Sequence, residues 1–427
     1  MSIKLAYNWV GPRGPVPNIE IPNILNMSHV SVGGGLTSER VWVEGIWNDF
    51  RTHYDLVPTV SLKDNDKFIY PLTLYWRINF EYYFLSGDGI LEYAHIDSEV
   101  LNKIQNYNGY ILIDHSPEAF VTDKHLQVLH SYFSFYNIPL YKILYLTGCM
   151  NIDEVYERFC NNNNIPSNKE NRIKLISFPC SFQSAVGDIE NQTESEYDIF
   201  KIPNKIFLSW NRRHKVHRNM LALLFNKNNL LSNSYFSMTK EDPEFQHKKF
   251  ENNVRLDWLT ACNLTLTDLN DLLPKLPLVV DGEVDTIKMT RTAHLDVIDF
   301  YKDSLISIVT ETNFNENEIT MTEKSIKPIK EKHPFIIVGV CGTLKQYHKL
   351  GYRTFNDFWS EEYDDINNPW DRLKEIIRIC IEINQWDSNK ILDFKRQVKP
   401  IIDHNYNIAK LGISETVSNN INQHINS

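Results

Sequence analysis

The chain has 427 residues, more than a single hydrophobic core ordinarily supports, so two domains of about 200 residues each are expected. Apolar residues make up 42%, aromatics 12% and charged residues 23%, which excludes collagen-like, coiled-coil and globally disordered classes. A net charge of -10 leaves no overall basic field for a polyanion, so nucleic acid is not the default partner, although a basic cluster can still act locally.

The six cysteines are widely spaced, with no CxxC pair and no Cys/His zinc spacing, which fits reduced thiols. Asn26, Asn191 and Asn263 head glycosylation sequons of the kind an Asn-rich chain produces by chance. The apolar stretch 3–10 is too short for a signal segment and reads as a first strand. With no run of about 18 apolar residues, no membrane span is expected, and the cytoplasm is the expected location.

Residues 17–100 carry no clear period. From 109 onward short apolar runs alternate with amphipathic segments, the pattern of parallel strands joined by helices. Strands are predicted at 110–114, 142–146 and 173–178. A helix over 124–136 places Leu126, Val128, Leu129 and Phe133 at helical spacing, and another over 151–160 begins at Asn151 or Asp153. The polar stretch 184–203 reads as a linker. Beyond it come strands at 206–210, 278–280, 305–309 and 334–339 and helices at 218–225, 323–332 and 370–383, while the Asn-rich last residues look frayed. The fold class expected is α/β: two Rossmann-like, doubly wound domains facing a central cleft, over 1–200 and 204–405, with a C-terminal tail at 406–427.

Several clusters could carry chemistry. A nucleotide diphosphate needs positive charge and free N–H groups at its phosphates and a carboxylate that accepts from ribose hydroxyls. Glu323 and Lys324 supply both at a predicted helix start, although Thr320 and Glu323 are also spaced as a capping box. Arg212, Arg213, His214, His217 and Arg218 follow a predicted strand and open a helix, where cations oppose the helix dipole unless an anion is bound. Gly11, Arg13 and Gly14 form a candidate acceptor loop, and the glycines at 33–35 a further candidate cleft loop, because glycine lets backbone approach a ligand; ordinary turns explain them as well. Asp114, His115 and Glu118 end a predicted strand, where open α/β sheets place ligand residues, and one of them could deprotonate an acceptor hydroxyl; helix capping is the competing role. Asp64 and Asp66 have the Asp-x-Asp form of a metal site but no preceding apolar strand, so they read as a turn, and no metal site is expected.

The segments 308–314 (IVTETNF), 319–328 (ITMTEKSIKP) and 333–339 (HPFIIVG) together resemble the donor-binding segment of fucosyltransferase-like GT-B glycosyltransferases. A looser likeness runs over 205–385, where the strand and turn near 211 resemble the phosphate-contacting loop of those families. The chain is also similar to glycosyltransferases of phages and bacteria that continue with a segment like 342–355. The resemblance implies Glu323 on the ribose, Lys324 on the diphosphate, and Glu311, Asn313 and Phe314 around the sugar or base, with Thr322, Arg212, Arg213 and Arg218 completing the donor set. It implies sugar transfer from a nucleotide diphosphate sugar as co-substrate, inverting, without metal or other cofactor, to a glycan or a hydroxymethylated base of viral DNA. A non-catalytic nucleotide- or glycan-binding protein is the alternative, distinguished by binding without turnover. An NAD-type oxidoreductase is disfavoured, because no Gly-rich dinucleotide fingerprint follows any strand.

Overall fold

Strands buried on both faces read as unbroken aliphatic runs, and such runs build two parallel sheets here. The computed structural model describes residues 3–7, 10–11, 14–15, 55–58, 61–73, 98–116, 120–179, 197–211, 213–241, 249–280, 298–412 and 414–426. The chain divides into two units, Met1–Ser184 with Gly412–Ser427, and Ala185–Leu411.

In the first unit β1 (Lys4–Tyr7) is followed by the short β2 (Val10–Gly11) and β3 (Gly14–Pro15), an antiparallel ribbon with Gly11 opposite Gly14. Then come β4 (Asp55–Pro58), β5 (Phe68–Thr73), β6 (Gly109–His115), β7 (Ile143–Thr147) and β8 (Lys174–Ser177). The six-stranded sheet has the order β4-β1-β5-β6-β7-β8, parallel throughout. Side chains alternate across it, so Ile111 and Ile113 enter one core and Leu112 the other. Helices α1 (Ser98–Asn106), α2 (Asp123–Phe135) and α3 (Ile152–Asn162) accompany the sheet. Thr122 caps α2, its hydroxyl accepting from the His125 N–H at 3.2 Å. Leu126, Leu129 and Phe133 of α2 then share one core with Val155 and Phe159 of α3.

The opposite core is closed from far along the chain. Over 406–427, where the sequence suggests a tail, the structure has the end of one helix and a separate helix, Ser414–Asn426. That helix buries Val417, Ile421 and Ile425, four residues apart, against Ile69, Leu112, Leu144 and Ile176. Its last turn is tied down where the His424 ring bonds the Tyr141 carbonyl at 2.7 Å.

The second unit holds β9 (Lys205–Ser209), β10 (Ser234–Phe236), β11 (Ser304–Thr310) and β12 (Phe335–Val338), ordered β10-β9-β11-β12 and again parallel. Helix α4 (Val216–Lys227) follows β9 and α5 (Glu323–Lys330) joins β11 to β12. After β12 come α6 (Thr343–Lys349), α7 (Pro369–Asn384) and α8 (Ser388–Leu411). The strand expected at 278–280 is not formed. Leu278 makes one antiparallel bridge to Met238 and Pro277 has no N–H to extend it, so Ser234–Phe236 takes the sheet edge instead. The fold is α/β with two Rossmann-like units.

If the last helix is a structural part of the first unit, Ile421→Ala will lower unfolding free energy by about 2–5 kcal/mol, the usual cost of emptying a buried aliphatic position. Urea unfolding measures it, and a loss below about 0.5 kcal/mol would contradict the packing described.

Candidate functional site

Open parallel sheets present ligand-binding loops at the carboxyl ends of their strands. In the second unit that edge is braced from within. The Ser209 hydroxyl donates to the Ile308 carbonyl at 3.0 Å, and the Asn211 amide donates to Ser209 Oγ at 2.9 Å. Thr310 Oγ1 donates to Asn211 Oδ1 at 2.8 Å, and the Asn211 N–H reaches Ser237 Oγ at 3.0 Å. The ends of β9, β10 and β11 are thereby locked by one polar chain, and a satisfied buried network of this kind rigidifies what it joins.

Glu311 follows β11 and is buried, 1% exposed. Its carboxylate accepts from the Thr312 N–H at 3.1 Å, the Thr322 N–H at 3.0 Å, the Thr322 hydroxyl at 2.9 Å and the Ser325 hydroxyl. Thr322 is also the N-cap of α5, its hydroxyl oxygen facing the Lys324 N–H at 3.4 Å. The cap is therefore Thr322, not Thr320, whose hydroxyl oxygen accepts from the Asn313 N–H at 3.4 Å. Bolted down in this way, α5 leaves Glu323 and Lys324 half-buried at its first turn, paired at 2.7 Å. Burial alone would raise the Glu323 carboxyl, but the charge and hydrogen bond of Lys324, with Lys327 behind it, bring it down to about 2. At neutral pH it is an anion between two lysines.

Helix α4 starts with no side-chain cap and no acidic residue in its first turn. Two of the basic side chains expected there turn inward. His217 Nε2–H donates to the Glu311 carbonyl at 2.9 Å, and the ring stacks on Phe314 with centroids 5.0 Å apart. Burial, then the Arg218 charge, holds this imidazole well below its ordinary pKa, so it is neutral. Arg218, 4% exposed, donates to the carbonyls of Thr310 at 3.2 Å, Glu311 at 3.4 Å and Arg213 at 3.4 Å. Arg213 itself is exposed, whereas Arg212 lies outside the described residues.

Phe314 and Asn313 are 1% and 3% exposed. The Asn313 amide donates to the Glu318 carbonyl at 2.9 Å, and the Phe314 ring lies between His217, Trp370 and the Arg372 guanidinium. Glu311, Asn313, Phe314 and Arg218 thus form the frame of the edge. Each of these side chains makes its hydrogen bonds or ring contacts within the unit. Beyond β12, Gly342 takes the left-handed conformation at φ 80° that opens α6, and Asp364 accepts from the Leu344 N–H at 2.9 Å. Burial pushes the Asp364 carboxyl up to about 7. Sequence reasoning missed Asp364, Ser325 and Arg372.

The first unit's candidates are also buried. Asp114, 4% exposed, accepts from the Ser116 N–H at 3.1 Å and hydroxyl at 2.6 Å. His115, 1% exposed, bonds Tyr145 OH through Nδ1 at 2.6 Å, and burial followed by the His125 charge lowers its pKa to about 3. The ring is therefore a neutral imidazole packed inside the first unit. Glu118, Arg13 and the glycines at 33–35 lie outside the described residues. Asp66 closes a turn by accepting from the Lys63 N–H at 2.8 Å and pairs with Lys4. Among the described residues no cluster of three or more His, Cys, Asp or Glu side chains could hold a metal, and no helix is long and apolar enough to cross a membrane.

No family model and no curated protein sequence matches the chain. Among solved structures it is similar to an α,α-trehalose 6-phosphate synthase of Burkholderia multivorans, at 7% identity over 86% of this chain and 71% of that one, TM-score 0.44. A UDP-forming α,α-trehalose-phosphate synthase of Burkholderia vietnamiensis aligns at 9% identity over 86% and 75%, TM-score 0.38. A trehalose-6-phosphate synthase described with bisubstrate glycomimetics of glycosyltransfer with retention aligns at 12% identity over 83% and 74%, TM-score 0.40.

Burial of His115 and His333 has a pH consequence. Their folded pKa values, about 3 and about 4, lie below the ordinary 6.5, so below that pH the unfolded chain takes up protons that the folded chain refuses. Stability from these groups is complete above pH 6.5 and is lost as pH falls toward 4, at up to about 1.4 kcal/mol per pH unit per group. Urea midpoints measured across this range should fall with acidification, and a flat profile would contradict the buried neutral state.

Proposed function

We propose that the chain is a nucleotide-sugar-dependent glycosyltransferase whose donor diphosphate lies at the first turn of α5. The observation that carries this reading is the half-exposed Glu323–Lys324 pair at a helix N-terminus, held at the carboxyl edge of the sheet by buried Glu311. The likeness of 308–339 to fucosyltransferase-like donor segments supports the same residues. Lys324 Nζ meets the phosphates and Glu323 accepts from the ribose hydroxyls. Arg213, exposed on the loop after β9, brings a second cation, with Arg212 beside it in the chain.

In the reaction the acceptor hydroxyl oxygen bonds to the anomeric carbon of the sugar. The bond from that carbon to the diphosphate oxygen breaks, and the diphosphate leaves with the electron pair. The hydroxyl proton passes to a general base, for which Asp114, His115 and Glu118 are the candidates. Lysine and arginine charge stabilises the departing diphosphate in place of a metal.

Calorimetric titration of UDP and GDP, of their sugars and of the free nucleosides tests the donor site. Lys324→Ala should weaken diphosphate binding by the worth of a charge-assisted bond, about 1.5–3 kcal/mol, and leave nucleoside binding near wild type. Equal diphosphate affinity in variant and wild type would remove the assignment. Transfer to a glycan or to hydroxymethylated duplex should persist in excess EDTA; loss on chelation with recovery in Mn²⁺ would hand the leaving-group role to a metal. Donor binding without hydrolysis or transfer to any acceptor would favour a nucleotide sensor.

A further inference from the structure

Arg372, in the first turn of α7, is among the largest fully buried side chains of the protein, at 2% exposure. Its Nε–H donates to the Gly339 carbonyl at 3.0 Å, and Nη2 to the Phe314 carbonyl at 2.6 Å. Nη1 donates to the carbonyls of Ile366 at 2.5 Å and Asn367 at 3.4 Å. The guanidinium also lies 5.2 Å from the Phe314 ring centre. One planar group therefore joins the end of β12, the loop after β11 and the approach to α7. A lysine, whose donors all sit on one nitrogen, lacks the planar fork that reaches these carbonyls from three separate nitrogens.

The charge balance is as unusual as the geometry. Among the described residues no carboxylate lies within ion-pair distance of Arg372; its partners are carbonyl dipoles and a ring face. Asp364, which acts on it through space, directs its carboxylate to the start of α6. A cation buried against carbonyl dipoles keeps its desolvation cost and leaves positive potential in the loops that it joins. Gly339 tightens the frame further: a Cβ there would lie 3.1 Å from Thr343 Oγ1, so the turn above Arg372 tolerates little change.

We infer that Arg372 is the positioning residue of this edge: it fixes the loops after β11 and β12 and sets a buried positive charge beneath them, which favours a nucleoside diphosphate. The inference rests on the donor-site reading of the same edge. Arg372 touches no ligand; it acts through the loops and through its field.

The test compares wild type, Lys324→Ala, Arg372→Lys and Arg372→Gln in calorimetric titrations of UDP, GDP and the parent nucleosides at two salt concentrations. Circular dichroism and urea unfolding report the folded fraction. Arg372→Lys keeps the charge but loses the fork, and should weaken nucleoside and diphosphate alike by about tenfold or more. Arg372→Gln loses the charge too, and should weaken the diphosphate further and flatten its salt dependence. A purely structural arginine would lower the urea midpoint and leave the affinity and salt slope of the folded fraction unchanged, which overturns the inference. If neither variant folds, amide exchange of wild type decides: UDP should protect 312–316 and 339–343, and unchanged exchange in both loops overturns it. Binding lost in Lys324→Ala but unchanged in the folded Arg372 variants sinks this inference alone. A wild type that binds no nucleoside diphosphate sinks the donor site and this inference together.

Discussion

The second unit depends on how residue 311 disposes of its polar atoms. A carboxylate taken out of water has to be met by donors, and Glu311 is met by two backbone N–H groups and two hydroxyls. Three of those donors belong to the cap and first turn of α5, so the side chain fixes where that helix begins. The main-chain carbonyl of the same residue receives His217 and Arg218 of α4. Helices on either side of β11 thus take their position from one residue, by its side chain on one side and its backbone on the other. An anion at the N-terminus of α5 also suits the helix dipole, so capping and electrostatics agree.

Around that fixed point the cations sort by depth. Arg218 and Arg372 are inside, spending their N–H groups on carbonyls at the ends of β11 and β12. Lys324 and Arg213 face outward to different degrees. The inner pair braces the strand ends, and the outer pair stays at the surface. The chain as a whole carries a net charge of -10. The corresponding edge of the first unit is unlike it: Asp114 closes a local turn on Ser116, and His115 is a neutral ring bonded to Tyr145.

The strands were legible because aliphatic runs have no other good interpretation, and β6, β7, β9 and β11 stand where the runs are. The start of α5 at Glu323 was legible, but its cap was not; with Thr320 and Thr322 both available, spacing alone favoured the box of Thr320 with Glu323, and only the burial of Glu311 decides for Thr322. Depth was not legible. In strands buried on both faces the period of two gives no outside, so the strand-end residues Asp114 and His115 looked accessible when they were not. Arg372 did leave a signal: with Ile376 and Cys380 it lies on the buried stripe of α7, a charged residue at an apolar position. The last helix left one too, in Val417, Ile421 and Ile425, masked by the asparagines between them.

That last helix bears on how the protein is made. The face of the first sheet formed by Ile3, Ile69, Leu112, Leu144 and Ile176 waits for Val417, Ile421 and Ile425. On the ribosome the strands emerge early and their cover only after every residue of the second unit. Throughout that interval a greasy surface is open to misassociation, so the nascent chain is a natural client for chaperones, and a prematurely terminated product would be released with its first core unfinished.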